Sequence, residues 1–473
     1  MKSKKKVLTP EEKLTQALLP KEEWPYELPK GWVWTEVEPF VQVIRGVTYK
    51  KNDVQNISAI DNALILRGGN IEEGTVNLKT NDNVFVDKRL ISETQYIKEN
   101  DVVIVASTGS KSVIGKAGIV HKECPNVAIG AFLLLIRPLK NVNSRFVDYY
   151  FETALYRNNI RKLANGVNIN NVKQNYIKNS PFPLPPLPEQ QRIVNKIESL
   201  FAKLDEARDR LQKVLEGYEA RRAAILHEAF SGKWTGDSAP GEMGVPKGWR
   251  PTPAKDLFQY VTSGSRGWAK YYSSKGALFI RMGNLKHGTI EPDFTDVQYV
   301  DLPDKAEGQR SLVQDHDILI SITADVGMIG YIDHISQEAY INQHIALARP
   351  VNPEEGRFLA WYLTSDKGLR QLQKKERGAT KVGLSLGDIR NLTIFMPSND
   401  KQVKIVNHIE SLMEEEKIIH DGVQKALSQI DLMKKSILAR AFRGELGTQD
   451  PSDPPAMDLL KERVMASEEV SKS

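Results

Sequence analysis

The sequence predicts an α+β protein in which two tandem α/β domains are separated by two long antiparallel coiled-coil helices, with pseudo-two-fold symmetry. Three features predict it. The chain is internally duplicated, the first part of each copy carries short β-branched runs between glycines, and the second part carries a sustained apolar heptad spacing. At 473 residues the chain has room for two to four domains of roughly 100–200 residues each.

The duplication is read from recurring motifs. Leu28-Pro-Lys-Gly-Trp32 returns as Val245-Pro-Lys-Gly-Trp249, and Leu66-Arg-Gly-Gly-Asn70 as Ile280-Arg-Met-Gly-Asn284. Ile136-Arg-Pro138 returns as Ala348-Arg-Pro350, and Ile193-Val-Asn-Lys-Ile-Glu-Ser-Leu200 as Ile405-Val-Asn-His-Ile-Glu-Ser-Leu412. Ile225-Leu…Ala229-Phe230-Ser-Gly232 returns as Ile437-Leu…Ala441-Phe442-Arg-Gly444. The offset is 217 residues at the first motif, 214 at the second, and 212 from Arg137/Arg349 to the end of each copy. Length therefore varies only in the first part, as expected if loops change there while a helical register is preserved later.

In the first part, Asp101–Ala106, Asp317–Ile322, Ala131–Arg137 and Ile345–Arg349 read as buried strands, and Phe146–Arg161 and Phe358–Lys374 as helices. In the second part, Pro181–Pro188 stops any earlier helix. A 4-3 apolar spacing then runs through Ile193, Ile197, Leu200, Leu204, Ala207, Leu211, Val214 and Tyr218. The second copy gives Ile405, Ile409, Leu412, Glu416, Ile419, Val423, Ala426, Ile430, Met433 and Ile437. Each helix of about 43 residues would span roughly 64 Å, and its seam needs a partner, most simply the other copy. Two readers held apart by such a spacer suit a duplex that presents equivalent groove faces every ~34 Å.

The expected boundaries are an N-terminal extension 1–27, a first domain 28–187, a central helix 188–233, a linker 234–244, a second domain 245–397, a second helix 398–446 and a disordered tail 447–473. Within that tail Met457–Ser467 has the spacing of a short helix.

Composition narrows the class. One cysteine, Cys124, excludes a disulfide framework and a cysteine-based zinc site, and fits a reducing cytoplasm. No apolar run approaches the ~18 residues of a membrane span, and Met1-Lys-Ser-Lys-Lys-Lys lacks the apolar stretch of a secretion signal. Net charge is +5; residues 31–187 hold 19 Lys/Arg against 14 Asp/Glu, and 245–397 hold 19 against 17. A nucleic-acid partner would have to be met by local placement of charge.

The chain resembles the specificity subunits of Type I restriction-modification enzymes, the HsdS family. Leu187-Pro-Glu-Gln-Gln-Arg-Ile-Val194 resembles the opening of that family's central conserved helix, and Ile437–Leu446 and Ile225–Trp234 its exit motif. The Pro-Lys-Gly-Trp motifs resemble the start of its target-recognition domains, and Arg45–Lys51, Thr108–Ser112 and Asn168–Asn171 are similar to segments within them. The likeness covers about residues 28–446. One departure is Lys401, where the second copy lacks the glutamate that Glu189 supplies in the first. The resemblance implies a non-catalytic reader of a split, asymmetric site in double-stranded DNA. It implies as partners two methyltransferase subunits, which use S-adenosylmethionine, and two ATP- and Mg-dependent motor-nuclease subunits. No cofactor is expected on this chain.

Other motifs are weaker. Asp453-Pro-Pro-Ala456 resembles an amino-methyltransferase motif but puts alanine where a flipped base needs an aromatic ring. Gly109–Ala117 departs from a phosphate-binding loop in spacing and lacks the hydroxyl after Lys116. The eight histidines, His334 and His344 among them, include no metal-spaced pair, so no metal site is expected. The alternatives are a self-sufficient methyltransferase or nuclease, and a coiled-coil adaptor.

Candidate DNA contacts are residues whose chemistry fits phosphates or base edges. They are Arg45, Tyr49, Lys50, Lys51, Thr108, Ser110 and Lys111 in the first copy, and Ser265, Arg266, Trp268 and Lys270 in the second. The other reading of both segments is a loop whose aromatics pack inward. Arg67 and Arg281 recur at one repeat position, which suits phosphate positioning or fold maintenance better than base choice. Arg266 is the best single candidate for a base contact.

Overall fold

The computed structural model describes residues 9–55, 60–79, 83–164, 170–237, 245–264, 266–303, 309–374 and 383–472. Ser265, Asn168, Ile169 and most of the expected linker (238–244) lie outside them. The chain forms two compact units whose limits differ from the tandem boundaries. The first comprises 1–209 with 427–473, and the second 210–426.

The first unit is centred on a four-stranded antiparallel sheet, in the order Val41–Arg45, Leu133–Pro138, Val102–Val105, Ala117–Ile119. Val102–Val105 and Leu133–Ile136 at its centre are apolar throughout because both faces are covered. Val102, Ile104, Leu134 and Ile136 enter the core on the helical side. Val103, Val105, Leu133 and Leu135 enter a separate core on the other side. A second sheet joins Val127–Ile129, Asn62–Leu66 and Val84–Asp87, its first pair parallel.

The second unit repeats this plan. Phe258–Ser263, Ile345–Pro350, Ile318–Ser321 and Ile329–Tyr331 form its central sheet, with Ile318 and Ile320 facing one core and Leu319 the other. A second sheet orders Tyr272–Ser273, Gln298–Val300, Ala277–Ile280 and Ala339–Ile341. In each unit the central sheet leads into the second through a glycine whose backbone approach leaves no room for a side chain. A Cβ on Gly46 would lie 2.0 Å from the Gly130 carbonyl oxygen, and one on Gly264 2.0 Å from that of Ile341.

The recurring Arg-Pro motif closes a bidentate ion pair in each unit. Arg137 grips Asp101 (2.9 and 2.7 Å) and Arg349 grips Asp317 (2.7 and 2.8 Å). Both carboxylates are at most 1% exposed, and burial pushes both up from the usual carboxylate pKa despite the arginines. The Arg-x-Gly-Asn motif is a tight turn rather than a display of arginine. Buried Asn70 accepts the Arg67 amide at 2.8 Å, and Asn284 that of Arg281 at 2.8 Å.

Each expected helix at 146–161 and 358–374 is two. Thr153 caps the second piece of the first pair, Ala154–Leu163, after Ser144–Glu152; in the other unit Ser365 separates Gly356–Thr364 from Asp366–Lys374. The Pro-rich segment also does more than end a helix: Pro181–Leu184 is a strand paired with Val33–Glu36. The proline rings fit there because this is an edge pairing.

The first long helix runs Leu187–Glu216 and resumes after Gly217 as Tyr218–Ala229; the second runs Asn399–Phe442 without interruption. Their ends belong to the globular cores. Ile193 and Ile197 join the first unit's core, as does Phe442, whose ring stacks 4.7 Å from Phe146. Ile405 and Ile409 join the second unit's core, where Phe230 meets Phe358 at 5.6 Å. Between the ends, the predicted seam is corrected. Ile430 is buried and Leu200, Leu204, Leu211 and Leu412 are half-buried, but Ile419 is 45% exposed and Met433 50%. Val423 is buried as well, so the apolar contact is interrupted at Ile419 and Met433 and not lost along the whole helix. Ion pairs run along these stretches instead: Arg208–Asp431 and Lys434–Asp205 in the first unit, and Arg221–Glu416 (2.8 Å) in the second. Within each unit the helices are antiparallel, since a rising number on one meets a falling number on the other.

The expected disorder of the tail is corrected, while the short helix read at Met457–Ser467 is present within a longer one. Ala456–Lys472 is a helix, and Ala456, Leu460 and Val464, spaced by four, enter the first core. The N-terminal extension likewise packs: Pro10–Ala17 is helical, and the Thr35 hydroxyl donates to the Ala17 carbonyl at 2.7 Å.

Candidate nucleic-acid interface

In the first unit two candidate loops flank one turn, Gly130–Phe132. Arg45 ends its strand opposite Leu134, and Val47 bridges to Gly130. On the other side the amides of Ala106 and Ser107 donate to the Phe132 carbonyl at 2.9 and 3.1 Å. Arg45, Lys50, Lys51, Ser110 and Lys111 are exposed, whereas Tyr49 packs beside Val47, Ile65, Val86 and Ala128. Thr108 lies in a short strand, Ser107–Thr108, paired with Asn170–Asn171. The Ser110–Ser112 loop is held from behind, because Arg157 and Arg161 both donate to the Ser112 carbonyl, at 2.9 and 3.1 Å. Exposed Arg67 follows Leu66, whose carbonyl accepts the Gly130 amide at 2.9 Å.

In the second unit Ser263, Arg266, Trp268, Lys270, Arg310, Thr323, Gln343 and Ser385 line an open cavity of about 700 Å³. Among the described residues its lining includes three cations and no carboxylate, so it suits an anionic ligand that also offers hydrogen-bonding edges. Arg266 and Lys270 are exposed, and the Lys270 ammonium sits 4.8 Å over the Tyr271 ring. Trp268 is only 5% exposed and packs against Phe279 and Tyr340 at 5.6 and 5.3 Å. Trp268 thus anchors the loop and leaves its charges outward, the inward-packing reading for the aromatics. Arg281 pairs with Asp296 at 3.2 Å.

The sequence did not single out Arg310, Thr323, Gln343, Ser385 or Phe132. They come from segments far apart in the chain, and only the alignment of the two copies, applied position by position, could have pointed to Gln343 and Phe132.

The departures and tempting motifs have structural explanations. Glu189 accepts the Trp32 indole N–H at 2.8 Å; in the second unit Asp237 accepts that of Trp249 at 3.3 Å and is itself held by Lys401 at 2.6 Å. Asp453 is an ion-pair partner of Arg192, at the foot of the C-terminal helix. Lys116 donates to the Ile71 carbonyl at 3.2 Å. Among the described residues no group of three or more His, Cys, Asp or Glu could hold a metal, and no helix is long and apolar enough to cross a membrane.

Comparison with known proteins accords with this architecture. The family described as the Type I restriction modification DNA specificity domain matches twice, at residues 29–216 and 246–429. The chain is 30% identical over 449 residues to the Type I restriction enzyme StySPI specificity subunit of Salmonella potsdam, covering 93% of this chain and 94% of that one. It is 30% identical over 450 residues to the EcoKI specificity subunit of Escherichia coli K12, covering 92% and 93%. Among solved structures, the HsdS subunit of Thermoanaerobacter tengcongensis matches with a TM-score of 0.56 at 20% identity, over 90% of this chain and all of that one. A chain from a study of assembly and conformational transition of the type I R-M system matches with a TM-score of 0.67 at 20% identity, over 89% and 100%. With the specificity domain present twice and relatives aligned over nearly their whole length, this chain belongs to the Type I restriction-modification specificity-subunit family, whose members are non-catalytic DNA-recognition subunits.

Proposed function

We propose that each unit reads one half of a bipartite, asymmetric site in duplex DNA. The chain then scaffolds methyltransferase and motor-nuclease subunits, which carry S-adenosylmethionine, ATP and Mg. The observation that carries this reading is the presence of two copies of one specificity domain whose outer loops differ in chemistry. Arg45, Lys50, Lys51, Lys111, Arg266 and Lys270 supply charge toward phosphates or guanine edges. The long helices set the unspecified spacer. The setting is the cytoplasm, where a single thiol stays reduced.

The test is a domain swap. Residues 245–395 are replaced by the equivalent segment of a relative, and the adenines methylated in a host carrying the complete system are sequenced. One half-site changes and the other stays. A swap that alters both half-sites overturns the two-reader model, and methyl transfer by the isolated chain overturns the non-catalytic assignment.

A further inference from the structure

We infer that the turn entering the last strand of each central sheet is a base-reading element, apolar at Phe132 in the first unit and polar at Gln343 in the second. This rests on the proposed reading of DNA and names residues that carry it. The two turns are the same piece of backbone. At the 212-residue offset Gly130-Ala131-Phe132 aligns with Asn342-Gln343-His344. Leu133 N–H donates to the Gly130 carbonyl at 2.9 Å, and Ile345 N–H to that of Asn342 at 3.2 Å. The Ala106 amide donates to the Phe132 carbonyl at 2.9 Å, and the Ile322 amide to that of His344 at 3.0 Å. Each turn is also bonded to the residue before the recurring arginine, Leu66 in one unit and Ile280 in the other.

Geometry is therefore common to both turns, while chemistry is not. Phe132 is equivalent to His344 and Gln343 to Ala131, so the exposed group differs between the units in both type and place along one shared turn. An element that must distinguish two different half-sites needs that combination. The neighbouring Arg-x-Gly-Asn turn keeps both geometry and residues, as a scaffold does. Phe132 is 68% exposed beside the Thr108–Lys111 loop, although a phenyl ring in water is unfavourable. An apolar ring on a DNA-facing turn matches the C5-methyl group of thymine in the major groove.

Gln343 lines the cation-rich cavity, and its amide is fixed by its neighbours. Gln343 Nε2 lies 2.9 Å from His344 Nε2, and His344 Nδ1 lies 2.6 Å from the Thr323 hydroxyl. The Gln343 amide nitrogen can only donate, so the tautomer that fits this network carries the ring proton on Nδ1. Nδ1–H then donates to Thr323, and Nε2 accepts one amide hydrogen of Gln343. Gln343 keeps its carbonyl oxygen and its second N–H for a ligand. Those two groups complement the N6–H and N7 of adenine in the bidentate pairing by which glutamine reads that base. Thr323 and His344 are positioning residues.

The experiment uses the chain assembled with its methyltransferase subunits, challenged with random duplex libraries. The wild type enriches a bipartite motif with a required adenine in one half-site and a required thymine in the other. Gln343→Ala is expected to lower discrimination at that adenine about tenfold and to leave the other half-site unchanged, which also verifies that the chain is folded. Phe132→Ala is expected to relax the thymine alone. Thr323→Val is expected to relax the same adenine as Gln343→Ala, and Thr323→Ser to restore it; a merely structural threonine would not reproduce that base-specific pattern. A wild-type bipartite motif unchanged in Gln343→Ala and Phe132→Ala overturns this inference and leaves the two-reader function standing. Absence of any wild-type motif overturns both.

Discussion

The two units solve the same structural problems with different side chains. In the first, the opening tryptophan is held by Glu189 from the helix; in the second, Lys401 stands at that helix position and the carboxylate comes from Asp237. The hydrogen bond to the indole survives although the charge on the helix has reversed. Buried Gln190 and Gln402, by contrast, keep both identity and role, donating to the carbonyls of Pro185 and Pro397 at 3.0 and 3.1 Å. A further contrast lies on the helix after the central sheet. The first unit has buried Asp148 and half-buried Glu152 where the second has Ala360 and Thr364. What must be repeated is a satisfied backbone or indole group; the donor of the charge is free to move.

The largest expected effect tests the shared feature. Arg349→Met leaves Asp317 buried without its partner and should cost about 3–5 kcal/mol of stability in the second unit, and Arg137→Met a similar amount in the first. Hydrogen exchange resolved by unit checks this, and equal protection in variant and wild type would refute the role of the pair. Next comes the contrast along one helix. Ile409→Ala, at 0% exposure, should destabilise by about 2–5 kcal/mol, whereas Ile419→Ala, at 45%, should stay within about 0.5 kcal/mol. Comparable losses at both positions, measured by denaturant unfolding, would restore the continuous apolar seam.

A smaller effect separates the units by pH. Burial pushes Asp148 and Glu152 up to about 7 from ordinary values of 3.8 and 4.5. A carboxyl with a raised folded pKa binds protons more tightly when folded. Its contribution is fully present below the unfolded value and is lost as pH rises through about 7. Protection of the first unit should therefore fall between pH ~4 and ~7 more than that of the second. Asp148→Asn should flatten the difference. The smallest effect concerns one loop. Arg266→Ala should relax a single position if the guanidinium meets a base. If it meets a phosphate, binding should weaken on all sequences and the salt slope fall by about one unit. Competition binding at two salt concentrations tells these apart.

The sequence by itself determined the duplication, the strands at 102–105 and 318–321, both long helices and the family. Each of these is written in local order: motif recurrence, β-branched runs and apolar periodicity all lie within a few residues of one another. The heptad count was legible in part: Val423 and Ile430 are buried, Ile419 and Met433 are not. Ile193 and Ile405 are buried as expected, but in domain cores to which the other long helix contributes only its end (Leu438 to Phe442 and Leu226 to Phe230), and Ile419 faces solvent. Periodicity states that a face is apolar without stating what covers it. The C-terminal segment shows the same limit. Its Asp-Pro-Pro composition suggested disorder, while the stripe Ala456, Leu460, Val464 acquires meaning only beside the core it fills. Tertiary structure alone decided which residues join Arg266 and Lys270 in the candidate interface. Arg266, Arg310, Thr323 and Gln343 share one cavity because strands far apart in sequence end side by side, and Trp268 turns inward because an apolar ring gains more from Phe279 and Tyr340 than from water.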